Sequence, residues 1–154
     1  MKYNCQAVLL ILFLGLMSVT VSPAYADLNT DKKGLALEGY DPVAYFPDYG
    51  GKPLPGKKDL TAEFAGATYR FANAANREAF LAEPAAFAPA YGGWCAYAMA
   101  DGKKVEINPK RFEVHDGRLF VFYKAWLTDT LKPWQKDRDQ LRDRADAEWA
   151  KITS

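Results

Sequence analysis

The chain has 154 residues, of which 49% are hydrophobic, 25% charged and 14% aromatic, and its formal net charge is +1. This length suits one domain, and the ordinary charged fraction excludes a chain that is disordered throughout. The near-zero charge argues against a nucleic-acid-binding protein, which would carry a basic surplus. The high aromatic content favours a compact core.

Residues 1–26 have the features of an export signal. Lys2 is their only charged residue, an apolar run covers 7–21, and Ala24 and Ala26 occupy the positions that a signal peptidase reads. This pattern is typical of a secretory signal. The alternative is a membrane anchor, but fifteen apolar residues fall short of the ~20 that a spanning helix needs. We therefore expect a signal peptide at 1–26, a mature domain at 27–154, and a periplasmic or secreted protein without a stable membrane anchor.

The mature domain is expected to be neutral and to contain a single thiol. Without Lys2 it carries 19 basic and 19 acidic residues, and Cys95 is its only cysteine. An internal disulfide is therefore impossible. A lone thiol in an oxidising compartment pairs with another chain, stays buried and inert, or reacts.

The first predicted elements are turns and loops. Asp41 and Pro42 mark a helix start, because Asp caps helices and Pro fits their first position, and residues 43–46 then form one short turn. Residues 47–59 contain three Pro and three Gly, which favours a surface loop.

Regular structure is predicted to follow this loop. The elements are two short strands around Ala65-Gly66, a helix and a further helical turn, at 61–64, 67–71, 74–82 and 84–90. Asn73 caps the helix and Pro84 ends it. Gly92-Gly93 then interrupts the chain before a short helix at 94–100.

The clearest element is a hairpin at 112–123, because Asp116-Gly117 is a strong signal for a two-residue turn. This turn pairs Phe112 with Val121 and Val114 with Leu119, on what we expect to be the core face. The pairs on the other face are Glu113 with Phe120 and His115 with Arg118.

The last predicted element is a charged, amphipathic helix at 137–152. Its apolar residues recur at steps of four, four and three, which places them on one stripe: Leu141, Ala145, Trp149 and Ile152. Arg142 with Asp146 and Arg144 with Glu148 have the spacing of ion pairs on a solvated face. Together the elements predict a small single-domain α+β fold with short antiparallel hairpins, several short helices and a C-terminal amphipathic helix.

Several short motifs lie along the mature chain: GYDPVAYF at 39–46, YRF at 69–71, YGGWCA at 91–96, NP at 108–109 and DGRL at 116–119. Together they resemble exported bacterial proteins of the YHS-domain family, over nearly all of the mature chain. The resemblance implies a small α+β domain. Some relatives of this type carry selenocysteine at the position of Cys95, which implies a chemically active position.

The resemblance does not transfer the metal site of the shorter YHS modules. Their pattern is D-P-V-C-G-M followed by F-C-S-x-x-C, and the three cysteines fall here on Ala44, Ala72 and Asn76. Alanine cannot bind a metal, and an amide is a poor ligand for soft metals. A metal function at these three positions is therefore not expected.

Cys95 is the best candidate for chemistry. At the start of a helix its thiol would face free backbone N–H groups and the positive end of the helix dipole, which favour the reactive thiolate. The alternative is a buried structural cysteine, which is common because free Cys is among the most buried residue types. The chain has no C-x-x-C motif, which excludes a dithiol cycle within one chain.

Further residues could form a site with this thiol. Met99 and His115 would complete a soft site that suits copper, although Met99 also suits the core and His115 suits a solvated turn. A Cys95–His115 dyad would need a hydrogen bond between the two side chains. No metal ligand set is assigned from the sequence, and copper is the candidate metal.

The aromatic residues near Cys95 could instead wall a ligand pocket. The predicted ligand-binding residues are Tyr40, Asp41, Tyr91, Trp94 and Cys95. Asp41 could instead serve only as a cap, and the aromatic residues could instead belong to the core.

Three functions remain open from the sequence. The favoured one is an exported binding module that holds a metal ion or small ligand around Cys95, with no nucleic-acid partner. The second is a thiol-dependent redox enzyme with Cys95 as its catalytic residue. The third is a structural or interaction protein in which Cys95 belongs to the core.

Overall fold

The computed structural model describes residues 27–154, so the predicted signal peptide lies outside the described residues. These residues form five α-helices and three two-stranded antiparallel sheets. The helices are α1 Ala74–Ala82, α2 Pro84–Phe87, α3 Ala96–Met99, α4 Leu131–Lys136 and α5 Arg138–Ile152. The strands are β1 Lys57–Phe64, β2 Ala67–Phe71, β3 Asn108–His115, β4 Arg118–Phe122, β5 Lys124–Ala125 and β6 Thr128–Asp129. The predicted α+β fold with a C-terminal helix is confirmed. Between 27 and 154, no helix combines the length and the apolar character needed to cross a bilayer.

The first hairpin turns at Ala65 and Gly66, as predicted. Both residues have positive φ, 55° and 87°, and in this register Phe64 pairs with Ala67. The prediction of a loop as far as residue 59 is wrong, because β1 already begins at Lys57. The strand pairs are continuous from Thr61 to Phe64. The register shifts between Lys57 and Thr61, and Lys57 pairs with Phe71 beyond this irregularity.

Helix α1 has the predicted bounds and the predicted cap. The Asn73 side chain accepts a 2.8 Å hydrogen bond from the backbone N–H of Asn76, which satisfies one of the free donors of the first turn. Phe80 is fully buried, and its ring lies 5.1 Å from that of Phe71 on β2. The helical turn predicted at 84–90 is shorter, because α2 ends at Phe87.

The second hairpin has the predicted register but not the predicted single core face. Phe112 pairs with Val121 and Val114 with Leu119, as expected. Both faces of β4 are buried, since all four residues from Leu119 to Phe122 are at most 1% exposed. Leu119 and Val121 pack with the first hairpin and α1, whereas Phe120 and Phe122 pack with the C-terminal helices. This hairpin therefore forms the middle layer of the domain.

The C-terminal helices cover the second face of this middle layer. Trp134 on α4 and Ala145 on α5 are fully buried there, and the predicted apolar stripe of α5 packs in the same cluster. Strands β5 and β6 and helix α4 were not predicted. The predicted ion pairs within α5 are wrong: Asp146 pairs with Arg118 on β4, and Arg144 pairs with Asp101.

Glu113 shows how a charged residue is accommodated between β3 and these helices. Arg138 binds its carboxylate through two hydrogen bonds of 2.6 and 2.9 Å, and the Trp134 indole donates a third at 2.9 Å. Burial alone would raise the pKa of Glu113, but the hydrogen bonds, from Arg138 above all, outweigh burial and hold that pKa below its usual value. The carboxylate thus ties β3 to α4 and α5.

Candidate functional site

A strained turn precedes Cys95. Tyr91, Gly92 and Gly93 all have positive φ, at 55°, 62° and 86°, and a bulky residue such as Tyr91 rarely adopts this conformation. A side chain at Gly92 would lie 3.0 Å from the Trp149 ring and from the Asp27 carbonyl oxygen. The close approach of α5 and of the Asp27 backbone therefore requires glycine at this position.

Tyr91 is held in this conformation by contacts with β4 and α5. Its hydroxyl donates a 2.9 Å hydrogen bond to the Asp146 carboxylate, and its ring packs against Phe120 and Trp149. The Arg118 guanidinium lies 5.5 Å from the centre of the Tyr91 ring. These contacts stabilise a backbone conformation that the tyrosine alone would not prefer.

Arg118 and Asp146 neutralise each other beside this ring. Two guanidinium nitrogens donate to the two carboxylate oxygens at 2.9 and 3.1 Å, and these bonds raise the pKa of Arg118. Burial would raise the pKa of Asp146, but the hydrogen bonds from Arg118 and Tyr91 outweigh burial and lower it. Burial, followed by the bond to Asp146, raises the pKa of Tyr91, so the phenol stays neutral. The group carries no net charge near neutral pH.

Tyr91 and its neighbours wall a partly open cleft of about 540 Å³. The cleft lies between the first hairpin, the segment around α2, the strained turn and α5. Its larger side chains are Leu28, Phe64, Tyr69, Tyr91, Arg118 and Trp149. The lining also contains small residues of the segment 85–90. The lining is mainly apolar, and its one charged side chain is already paired with Asp146.

Cys95 does not line this cleft. The residue is 0% exposed, and its sulfur accepts a 3.3 Å hydrogen bond from the backbone N–H of Tyr123. The sulfur also lies 3.4 Å from the hydroxyl of Thr130, which donates its hydrogen to the Tyr123 carbonyl at 3.0 Å. Because a hydroxyl has only one hydrogen, the thiol is the donor to Thr130. These hydrogen bonds connect the Cys95 sulfur, the Thr130 hydroxyl and the backbone of Tyr123.

The expected contact of the thiol with the start of a helix is absent. Helix α3 has only four residues, and the Cys95 side chain makes no capping hydrogen bond to it. The helix predicted at 94–100 was therefore too long. The sulfur instead contacts Tyr123, the first residue after β4, because α3 packs against this strand.

The described residues do not bring together the candidate copper ligands. Met99 is buried in the hydrophobic cluster beneath the C-terminal helices, whereas Cys95 belongs to the cluster formed with the first hairpin and α1 on the other face of β4. His115 lies at the hairpin turn, where its Nε2 is 3.4 Å from the Asp116 carboxylate. From 27 to 154, no group of three or more His, Cys, Asp and Glu side chains is placed to hold a metal ion.

Asp41 is fully buried and binds four donors. One carboxylate oxygen accepts from the backbone N–H groups of Val43 and Ala44, at 2.9 and 3.3 Å. The other accepts from the backbone N–H of Ala72 and the side-chain amide of Asn76, at 2.8 and 2.7 Å. Asp41 is thus a cap, but of a turn rather than a helix, and it also joins this turn to the start of α1.

The partners of Asp41 include a set singled out from the sequence. Ala44, Ala72 and Asn76 are the positions on which the three cysteines of the shorter YHS modules fall. All three contact the same carboxylate, although Ala44 is far from the other two in the chain. In this chain a carboxylate–amide network occupies these three positions.

Tyr40 and Trp94 lie outside the cleft lining. Tyr40 packs against the hydrophobic cluster formed with the first hairpin and α1, and it forms an isolated β-bridge with Pro55. The Trp94 indole donates a 2.7 Å hydrogen bond to the Asp27 carbonyl, which ties the start of the described chain to the strained turn. Of the five predicted ligand-binding residues, only Tyr91 lines the cleft.

Sequence reasoning missed the two residues that complete the Tyr91 wall. Trp149 had been assigned to the apolar stripe of α5, and Arg118 to the hairpin face opposite the expected core face. For Arg118 the signal is the hairpin register, which places it directly before the apolar run of β4; for Trp149 the sequence gives only the stripe of α5.

No family model matches this chain, and neither a curated protein nor a solved structure matches it significantly.

Proposed function

We propose that the domain is an exported binding module that holds a small apolar molecule in the cleft beside Tyr91. The observation that carries this proposal is the cleft itself, whose volume of about 540 Å³ lies within the ~300–1,000 Å³ typical of ligand sites. The strained turn supports it, because such backbone conformations concentrate at binding sites.

The chemistry of the walls favours an uncharged ligand with a ring or a branched chain. Phe64 and Trp149 are partly exposed aromatic residues of the lining, and small side chains of 85–90 complete it. Arg118 is already bound by the two oxygens of Asp146, so an anionic ligand would have to compete with an existing ion pair. The site therefore differs from the one expected around Cys95, although Tyr91 belongs to both.

The proposal contains no catalytic step. The redox alternative requires a reagent to reach the Cys95 sulfur, which the described conformation encloses. The metal alternative requires further ligands, and among residues 27–154 no group of three or more His, Cys, Asp and Glu side chains is placed to hold a metal ion. We also propose that the chain is a member of the YHS-domain family. The meeting of residues 44, 72 and 76 at one carboxylate supports this, because the family pattern requires these positions to be neighbours.

A neutral fluorescent probe, N-phenyl-1-naphthylamine, tests the cleft directly. We expect saturable binding of one probe per chain, and weaker binding of the anionic analogue 1-anilinonaphthalene-8-sulfonate, which would have to compete with the Arg118–Asp146 ion pair. Ala86 lines the cleft and is exposed, so Ala86→Trp should fill the cleft without disturbing the core. We expect this variant to bind the neutral probe at least about tenfold more weakly.

The matched control is Ala75→Trp, since Ala75 is also an exposed helical alanine but lies on α1, away from the cleft. It should bind the probe like the parent protein. Near-ultraviolet circular dichroism checks that both variants keep their tertiary packing, because loosely packed proteins bind such probes nonspecifically. Equal binding by the parent protein and a folded Ala86→Trp variant would overturn the proposal.

A further inference from the structure

The hairpin of β5 and β6 displays two large apolar side chains in full contact with water. Lys124 pairs with Asp129 and Ala125 with Thr128, so Trp126 and Leu127 form the two-residue turn. Trp126 is 99% exposed and Leu127 is 97% exposed. We call these two residues the hairpin tip. Single exposed apolar residues are ordinary, but two adjacent ones exposed to this degree leave a contiguous apolar surface that the domain itself does not cover.

The backbone of the tip gives no structural reason for tryptophan. Trp126 has φ 41°, and the first central position of a two-residue hairpin turn with positive φ favours glycine. A bulky side chain there is unfavourable, and this one packs against nothing in the domain. A residue that breaks a local rule without a compensating contact points to a role outside the fold.

The surroundings of the tip are basic. Asp129 is bound by Lys124 at 3.5 Å and by Arg111 at 3.1 Å, and its carboxylate is only 11% exposed. Lys132, shortly after β6, is exposed. The hairpin, its ion-pair partner Arg111 and the residue Lys132 shortly after it in the chain thus contribute three cations and one shielded carboxylate, although basic and acidic residues balance over 27–154.

We propose that the hairpin tip inserts into the headgroup region of a bilayer that contains anionic lipids. Tryptophan favours the membrane interface because one part of its ring system is apolar and the other donates a hydrogen bond. Lysine and arginine near such a surface are attracted by its negative potential. The tip and the three cations thus match both components of an anionic interface.

The size of the tip favours a bilayer over a protein. Two side chains expose on the order of 400 Å², about half of the ~800 Å² that each partner contributes to a stable protein interface. A bilayer requires no complementary pocket. Such binding is peripheral and reversible, and it does not depend on the proposed ligand cleft, which lies beside the opposite end of β4.

Quenching of tryptophan fluorescence by brominated lipids reports on the tip itself. The chain has four tryptophans. Trp134 is 0% exposed and Trp94 and Trp149 are partly buried, whereas Trp126 is fully exposed. The full chain is mixed with vesicles of equal parts phosphatidylglycerol and brominated phosphatidylcholine, or of brominated phosphatidylcholine alone. We expect quenching with the anionic vesicles, its loss in Trp126→Phe, and its weakening at about 0.5 M salt.

Two further variants separate the tip from the fold. Leu127→Ser keeps the fluorophore and should lower the partition of the tip into anionic vesicles by about tenfold. Leu81→Ser is the matched control, because Leu81 is a half-exposed leucine on α1, and it should leave the quenching unchanged. The proposal is overturned if Trp126→Phe retains the quenching. It is also overturned if sedimentation shows concentration-dependent self-association that Trp126→Gly abolishes, because the tip would then bind a second copy of the chain.

Discussion

Replacement of Asp41 by alanine should be among the most destabilising single substitutions in the domain. The carboxylate is fully buried and accepts four hydrogen bonds, from the backbone of the 43–44 turn, from Ala72 and from Asn76. Asp41→Ala leaves these donors without an acceptor in a site that water does not reach. The turn and the start of α1 would then lose their common attachment.

The expected loss of unfolding free energy is about 3–5 kcal/mol. Each hydrogen bond to a buried charge contributes about 1.5–3 kcal/mol, and these contributions are not additive because removal of the charge also removes its desolvation cost. Residues 27–154 comprise about 130 residues. At ~2.1 cal/mol/K of unfolding entropy per residue, 1 kcal/mol shifts the Tm by about 4 °C. Asp41→Ala should therefore lower the Tm by roughly 10–20 °C.

Urea unfolding and thermal unfolding, both followed by circular dichroism, measure this effect. Asp48→Ala is the control, since Asp48 is exposed, and it should change the unfolding free energy by less than about 0.5 kcal/mol. In a double-mutant cycle, Asp41→Asn with Asn76→Asp reverses the amide–carboxylate pair, so the double variant should lose less than the sum of the single variants. If Asp41→Ala costs less than about 1 kcal/mol, the network does not have the role that we assign to it.

Three other predictions follow from the described contacts. Because the Cys95 sulfur is enclosed, iodoacetamide should modify it only in step with urea unfolding, and rapid modification of the folded protein near neutral pH would contradict the burial of this thiol. Glu113 and Asp146 have lowered folded-state pKa values, because hydrogen bonds from arginines outweigh burial. The free energy of unfolding that each carboxylate contributes is fully present above its unfolded-state pKa, and it is lost as the pH falls from about 5 through the folded-state pKa. Glu113→Gln and Asp146→Asn should therefore each reduce the loss of unfolding free energy on acidification, and an unchanged slope would refute the assignment. Trp126→Gly should leave the unfolding free energy unchanged or raise it by up to about 1 kcal/mol, whereas a clear decrease in urea unfolding would mean that the tryptophan contributes to the fold.

Local signals predicted much of the fold. Asn73 and Pro84 gave the bounds of α1, and Asp116-Gly117 gave the register of the second hairpin. These signals succeed because a cap or a two-residue turn fixes the backbone through neighbours in the chain. Strands β5 and β6 and helix α4 carry weaker signals. A tryptophan occupies the turn position that glycine normally marks, and Pro133 lies inside α4.

The candidate site was harder to predict because it depends on tertiary contacts. The stripe of α5 indicated that Trp149 is buried, but not that it meets Tyr91 across Gly92. The alternation along β4 indicated one buried face, whereas the C-terminal helices bury the other face as well. That second layer makes Arg118 part of a wall. Cys95 is buried in the other cluster, where its sulfur contacts Tyr123 and Thr130. Asp41 was predicted as a cap, but its bonds to Ala72 and Asn76 join segments that no local pattern connects.

The position of β4 between two hydrophobic clusters makes the domain a single cooperative unit. Leu119 and Val121 belong to one cluster and Phe120 and Phe122 to the other, so neither half can open without exposing part of the same strand. Amide hydrogens of β4 should consequently exchange with deuterium only through global unfolding. Local fluctuations elsewhere, at the β5–β6 turn or around α2, can then take place while β4 keeps its hydrogen bonds and stays buried.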